Sequence, residues 1–294
     1  MKVVLFCGGH GMRMRDGSSA SPKPMVMIGD RPLLWHGMRY YAHHGHTEFI
    51  LALGYGAKEI KDYFLHYEET ATNDFVLSGG RDVELLGSDL ADWKITFVDT
   101  GMHSSIGERL RRVRPYLEGE EYFLANYADV LSDLPLHRVV DRFQASDAVA
   151  SLTAVPPQSS FHVLQMDDQD QVLKLRAVSQ FPLWENGGFF VFRQELFDVL
   201  YPGEDLVDGA LVRLAERGQL SAYRHSGFWM PADTLKERAR LEKLYQSGER
   251  PWAVWENRGD GPAAPPTPAP AEDLLAPVDE QPPTRPVAEI VRGD

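Results

Sequence analysis

Apolar and polar positions follow two different periods along this chain, and the order in which those periods alternate predicts its fold class. "VVLFC" at 3–7 is a short apolar run that gives way at once to Gly8, Gly9 and Gly11, the pattern of a buried strand breaking into a glycine loop. "RPLLWHGMRYYAHHG" then carries apolar residues at helical spacing, with Gly45 placed to stop it. "FILALGY" predicts a second buried strand, and "KEIKDYFLHYEE" a helix whose stripe holds Ile60, Tyr63, Phe64 and Tyr67. "KITFVDTG", "GERLRRVRPYL" and "EYFLANYADV" read again as strand, helix and strand, the last running into a loop with Asp129. Such alternation predicts an α/β fold: a doubly wound, mostly parallel sheet with helices on both faces.

The middle of the chain changes character. "VASLTAV", "FHVLQMDDQDQVLKLRAV" and "GGFFVF" have strand patterns, with "DDQDQ" as a hairpin turn, and predict a small antiparallel extension over the sheet's edge. "EDLVDGALVRLAERG" reads as a helix ended by Gly218, and the charge-rich "TLKERARLEKLYQSG" as another with a solvated face. From about Arg258 the composition breaks: residues 258–294 hold nine of the chain's 20 prolines and few large apolar groups, too little to offset the entropy of ordering. The expectation is one domain over 1–257 and a disordered Pro/Ala-rich tail over 258–294.

Charge narrows the ligand. With 30 Lys and Arg against 43 Asp and Glu, the net charge of −13 argues against nucleic acid or an anionic membrane surface as partner. Any phosphate must be held by local arrangement. Cys7 is the one cysteine, so no intrachain disulfide can form, and its place in an apolar run predicts a packed thiol. No signal-peptide pattern and no apolar run of membrane-spanning length is present, and the expected location is the cytoplasm.

The glycine loop brings backbone N–H groups close to a guest with no side chain in the way, and the usual guest is a phosphate. The loop matches neither the dinucleotide spacing nor the P-loop. It is followed, however, by Arg13 and by Lys23, which Pro22 and Pro24 hold on a stiffened loop; two such cations suit a triphosphate. The alternative is a solvated surface pair. Asp129 ends a predicted strand, where ligands bind in α/β folds, and with Asp233 of "GFWMPADT" it could hold Mg²⁺; Asp233 is equally placed to cap the helix at "TLKE". His43, His44 and His46 lack spaced partners for zinc and read as a helix C-terminus. Trp252 and Trp255 read as anchors of the C-terminal segment, or as a subunit contact.

Taken in order, "GGHGMRM", "SPKPMVMIGDRPLLWH", "FILALGYGAKEIKDYF", "ITFVDTG", "GERLRRV", "ENGGFFVF" and "GFWMPADT" resemble the sugar-1-phosphate nucleotidyltransferases, and among them the glucose-1-phosphate cytidylyltransferases. The resemblance runs from Met1 to about Glu256. It implies a Rossmann-like fold of the nucleotidyltransferase type. It also implies binding of CTP at Gly8, Gly9 and Gly11, with Arg13 gripping the triphosphate and Lys23 at the α-phosphate. Asp129 and Asp233 match the family's metal-binding aspartates, which favours that role over capping for Asp233. Gly107 and Arg109 fall where relatives bring a loop near the base, and Asn186 and Gly187 where they contact the sugar. Relatives form homo-oligomers, so a homo-oligomer is expected.

Four positions depart from the family pattern. Met12 replaces a threonine in the loop, and Val130 a glycine after the metal aspartate. Gln180 and Phe181, before Pro182, stand where relatives carry an acid and a lysine for the sugar phosphate, and His162 replaces a glycine beside the sugar. His162 or Arg176 could supply the missing cation. The resemblance therefore implies Mg²⁺-dependent transfer of a nucleoside monophosphate, from CTP, to a sugar 1-phosphate or related acceptor, with Arg13, Lys23 and Asp129 as catalytic residues. A nucleotide-binding protein without turnover, acting through partners, is the alternative.

Overall fold

The computed structural model describes residues 1–9, 21–158 and 161–256; Gly11, Met12 and Arg13 of the loop and the tail at 258–294 lie outside them. At its centre is a sheet of seven strand positions. The strands are β1 (Val3–Cys7), β2 (Glu48–Leu53), β3 (Lys94–Asp99), β4 (Tyr122–Tyr127), β5 (Ala150–Val155), β6 (Glu185–Asn186 continued by Phe190–Arg193) and β7 (Leu220–Arg224). Both pieces of β6 pair with the same edge of β5, because Ala150 and Ala154 each have β7 on their other side. The spatial order is β7-β5-β6-β4-β1-β2-β3, parallel throughout except for β6, which is antiparallel to both neighbours.

Period-two alternation in β1 explains how one strand serves two layers. Val3, Leu5 and Cys7 point to one face, where they meet Leu34, Met38 and Tyr41 of helix α1 (Leu33–His43) and Ile60 of α2 (Ala57–Leu65). Val4 and Phe6 point to the other, toward Leu110 and Val113 of α3 (Ile106–Val113). Helix α4 (Leu136–Gln144) covers the first face with Val139, Val140 and Phe143. The second is completed by the short α5 (Leu196–Val199), a π-helical turn at Leu206–Leu211 and α6 (Val212–Glu216). The doubly wound α/β expectation holds, and no helix among the described residues is long and apolar enough to cross a membrane.

The expected edge extension is corrected in form. The antiparallel strand β6 lies inside the sheet, the edge is the parallel β7, and "HVLQM" with "VLKLRA" forms a separate two-stranded ribbon, His162–Met166 with Val172–Ala177. Its turn is the expected one: the Asp167 side chain accepts from the N–H groups of Gln169 and Gln171, both at 2.9 Å. The predicted helix before Gly218 begins instead as the π-helical turn, capped by Asp205, whose side chain accepts from the N–H of Val207 at 2.8 Å. Cys7 is buried, and burial pushes its thiol far above the ordinary range.

A third cluster closes the C-terminal segment. Helix α7 (Leu235–Gln246) puts Leu241 against Ile28, Leu131 and Met230, and Trp252 is buried beside His36 and Phe228. This is the anchoring role expected of the tryptophans.

Candidate active site

Ligand-bearing loops of such sheets lie beyond the carboxyl ends of the strands, and four devices assemble a site there. The first is the floor. Gly8 follows β1, Gly54 follows β2 and Thr100 follows β3, and the buried Arg109 guanidinium ties all three ends together. It donates to Gly8 O at 2.8 Å, to Leu53 O at 3.0 Å, to Thr100 Oγ1 at 2.8 Å and to Met102 O at 3.3 Å. A Cβ on Gly8 would stand 2.0 Å from Arg109 Nη1, and one on Gly54 2.6 Å, so both positions require glycine. Four oxygen acceptors compensate the burial of this charge, although burial still draws its pKa down. Arg109 thus braces the underside of the loop. Gly107 packs into the contact between α3 and the following helical layer, where an added Cβ would meet Glu204 O at 2.4 Å.

The second device is the lysine turn. Pro22–Lys23–Pro24 enters a 3₁₀ turn (Lys23–Met25) closed by Met25 N–H to Pro22 O at 2.8 Å, and the Pro22 ring rests on Gly56, whose φ of +71° only glycine adopts freely. The third is a short ladder. Val130–Ser132, after β4, pairs antiparallel with Trp229–Pro231, and Ala232 N–H donates to Asp129 O at 2.8 Å. Two residues separated by about a hundred positions, Asp129 and Asp233, therefore leave the ladder side by side.

Lys23 and this ladder converge. The Lys23 ammonium donates to Asp233 Oδ1 at 2.5 Å and lies 3.5 Å from Asp129 Oδ2, with all three groups half-buried. Burial works against the lysine's charge, but the hydrogen bond to Asp233 and the field of Asp129 outweigh it and raise its pKa. The capping alternative for Asp233 is settled by its neighbour: Thr234 is the N-cap of α7, accepting from Glu237 N–H in a reciprocal capping box. The Asp233 carboxylate is left for the lysine.

The fourth device is the break in β6. Asn186 Oδ1 accepts from Gly188 N–H at 3.0 Å, and Asn126 Oδ1 accepts from Phe189 N–H at 2.9 Å, holding Phe189 at φ +47°, a rare conformation for a bulky residue. Gly187 has both backbone groups engaged, its N–H with Thr153 O and its carbonyl with Trp229 Nε1. An added Cβ there would stand 2.9 Å from Val155 Cγ1 and 3.1 Å from Trp229 Nε1, so the missing side chain serves packing within the protein. Asn126, Thr100 and Trp229 are the supporting residues that sequence reasoning missed. A buried Asn in an otherwise apolar strand, "YFLANY", was the available signal for the first.

The remaining expected residues lie on or beside the ribbon. His162 is at its base, and Gln180 and Phe181 lie just after it, Gln180 exposed and Phe181 half-buried. Pairing of His162 with Ala177 and of Val163 with Arg176 puts His162 and Arg176 on opposite faces, so the two cannot serve one phosphate from the same face. Among the described residues no group of three or more His, Cys, Asp or Glu is arranged to hold a metal, the His43, His44, His46 cluster included.

Comparison with known proteins agrees with this architecture. Residues 2–230 match the nucleotidyl transferase family model. The chain is 37% identical over 257 residues to "Probable glucose-1-phosphate cytidylyltransferase" of Bacillus subtilis (strain 168), covering 87% of this chain and all of that protein. It is 36% identical over 261 residues to glucose-1-phosphate cytidylyltransferase of Salmonella typhi, with the same coverage. A crystal structure of UDP-glucose pyrophosphorylase complexed with UDP-glucose shares the fold, with a TM-score of 0.62 over 84% of this chain and 98% of that one at 18% identity. On the full-length identity to the first two, this chain belongs to the nucleotidyl transferase family and, within it, groups with the glucose-1-phosphate cytidylyltransferases.

Proposed function

We propose that the protein transfers a nucleoside monophosphate, CMP from CTP, to a sugar 1-phosphate or a related phosphorylated acceptor and releases pyrophosphate. The observation that carries this reading is the convergence of Lys23, Asp129 and Asp233 at the carboxyl edge of the sheet, beside the glycine loop. Its relatives in the family supply the substrate class.

Mg²⁺ fits the carboxylate pair. Asp129 and Asp233 already hold one cation between them, offer hard oxygen donors, and are few enough to leave coordination positions for phosphate oxygens. When bound there, the ion neutralises charge that accumulates on the polyphosphate. The chain's own contribution is alignment and charge. The acceptor phosphate is a good nucleophile without a base: its oxygen bonds to the α-phosphorus of CTP as the bond to the β-phosphate oxygen breaks. Lys23, on its proline-stiffened turn, meets the α-phosphate, and Arg13, outside the described residues, is assigned to the triphosphate. Gly8 and Gly9 present backbone to the nucleotide, with Gly11 beyond the described residues. Arg109 acts through the floor it braces, within reach of the base only by way of Gly8 and Met102. Asn186, Gly187, Gln180, Phe181 and His162 border the acceptor side.

Where relatives have a lysine for the sugar phosphate, Phe181 supplies no charge. This favours an acceptor whose phosphate is held by another group. The test is pyrophosphate release from CTP, UTP or dTTP with Mg²⁺ and a panel of sugar 1-phosphates. Release with CTP and at least one acceptor is expected; CTP binding without release on any acceptor overturns the reading and leaves a non-catalytic nucleotide-binding protein. Phe181→Lys is expected to create or strengthen activity on glucose 1-phosphate.

A further inference from the structure

The cations assigned so far belong to the triphosphate: Lys23 between the two aspartates, and Arg13 on the loop. The acceptor brings a second phosphate that must approach the first in line, and the repulsion between the two has to be offset on the acceptor side as well. Phe181 supplies no charge there.

A guanidinium is placed to do so. Arg224 is the last residue of β7, at the same carboxyl edge of the sheet as Asp129. Across β5, Ala154 pairs with Arg224 on one side and with Asn186 on the other, so the three side chains project in a row from one face of the sheet. Asn186 and Arg224 are two strand spacings apart, roughly 10 Å. Ala154 carries only a methyl group and leaves the space between them open. The Arg224 guanidinium lies over the Trp184 ring, 5.2 Å from its centroid. Trp184 stands two residues before Asn186 and three after Phe181, so the arginine reaches the segment whose Gln180 and Phe181 border the acceptor side.

Its surroundings suit a ligand better than a structural duty. Arg224 is exposed, where Arg109 is buried and bonded to backbone. Among the described residues no carboxylate pairs with it, whereas Lys23 has two and Arg213 has Glu204. Glu185, beside Asn186 in sequence, pairs with Val155 and projects from the opposite face of the sheet. A flat ring beneath a guanidinium fixes its plane and leaves the N–H groups of its edge free for two oxygens of one phosphate.

We infer that Arg224 holds the phosphate of the acceptor, with Trp184 orienting the guanidinium and Asn186 on the other flank of the gap over Ala154. This role presupposes the proposed reaction and names the group that its acceptor phosphate meets. A cation lost from one segment is thereby supplied by the neighbouring strand.

The test follows pyrophosphate release with CTP, Mg²⁺ and the best sugar 1-phosphate of the panel, and separately the calorimetric binding of that acceptor, or of glucose 1-phosphate where none is turned over. Arg224→Met is expected to raise the acceptor KM and weaken acceptor binding by about ten- to a hundredfold, the loss of one charge-assisted contact, with KM for CTP and the melting midpoint unchanged. Arg224→Lys should recover only part of the loss, since a point charge cannot meet two oxygens in one plane. Adding Phe181→Lys to Arg224→Met should recover acceptor binding by returning a cation to the neighbouring segment. Acceptor KM and binding that ignore Arg224→Met, an equal rise in KM for CTP, or a double variant no better than Arg224→Met each overturns the inference. Turnover by wild type that Arg224→Met matches overturns this role of Arg224 and spares the reaction. A wild type that releases no pyrophosphate but binds glucose 1-phosphate through Arg224 overturns the reaction and spares the site, and one that does neither overturns both.

Discussion

At the scale of single residues, the site is organised by two cations with different duties. Lys23 is half-buried and held only by carboxylates that a metal and a triphosphate would compete for. Lys23→Met should therefore lower kcat by about 10²–10³-fold, the usual loss when one preorganised charge is removed from a transition state, with little change in melting temperature. The same variant frees both carboxylates, so Mn²⁺ titrated into nucleotide-free protein and followed by electron paramagnetic resonance should bind more tightly than to wild type. Weaker binding would mean that Lys23 does not sit in the ion's place. Arg109 is the opposite case, fully buried and bonded to backbone. Arg109→Leu removes the donor to the buried Gly8 O, at about 1–3 kcal/mol if water cannot reach it, while Leu53 O keeps the Thr100 N–H and hydroxyl. Thermal unfolding should show a loss of at least several degrees; an unchanged midpoint would rule out the brace. Sequence reading identified both residues, but motif position alone could not separate a ligand contact from a floor support, because that distinction depends on which acceptors surround the guanidinium.

At the scale of elements, strands and helices of the parallel half were legible because each is buried on a periodic face: Val3–Cys7, Leu33–His43 and Lys94–Asp99 lie where the apolar pattern puts them. The ribbons were less legible. Strand pattern does not say which sheet a strand joins, and "HVLQM" alternates in the same way whether it packs on a core or not. The Phe75–Leu85 ribbon carried its signal in Gly79 and Gly80, both at positive φ, but its strands are only four residues each. The boundary of α7 shows what a one-residue shift decides. Thr234, not Asp233, caps the helix, and this separates two effects that would otherwise be confounded. Thr234→Ala should cost about 1 kcal/mol of stability and spare turnover. Asp233→Asn should abolish most turnover and leave the melting midpoint nearly unchanged. If both variants lose stability equally, the assignment of the carboxylate to metal and lysine fails.

At the scale of the whole molecule, the third apolar cluster binds the C-terminal segment to the start of α1, and a buried histidine sits at its centre. His36 donates from Nε2 to Ile28 O at 3.0 Å, and its Nδ1 accepts from Trp252 Nε1 at 3.4 Å. Both nitrogens are satisfied in the neutral ring, and a proton on Nδ1 would oppose the indole N–H. Burial, above all, lowers the His36 pKa to about 4, with Arg31 and Arg250 adding to the effect against the pull of Ile28 O and Asp30. In the unfolded chain the ring titrates at its ordinary value near 6.5. A depressed folded pKa means that the unfolded state binds the proton first as the medium is acidified. Stability from His36 is therefore complete above pH 6.5 and is lost progressively as pH falls toward about 4, with a slope of up to about 1.4 kcal/mol per pH unit. His44 and His46 are lowered to about 4 in the same direction, chiefly by burial, and add to the total. His36→Gln can keep a donor and an acceptor but cannot titrate. Urea unfolding from pH 8 to pH 4.5 should show the variant less stable at pH 8 and losing less on acidification, by up to one proton's worth. A variant that follows the wild-type slope throughout would place the acid sensitivity of the C-terminal anchor in other groups.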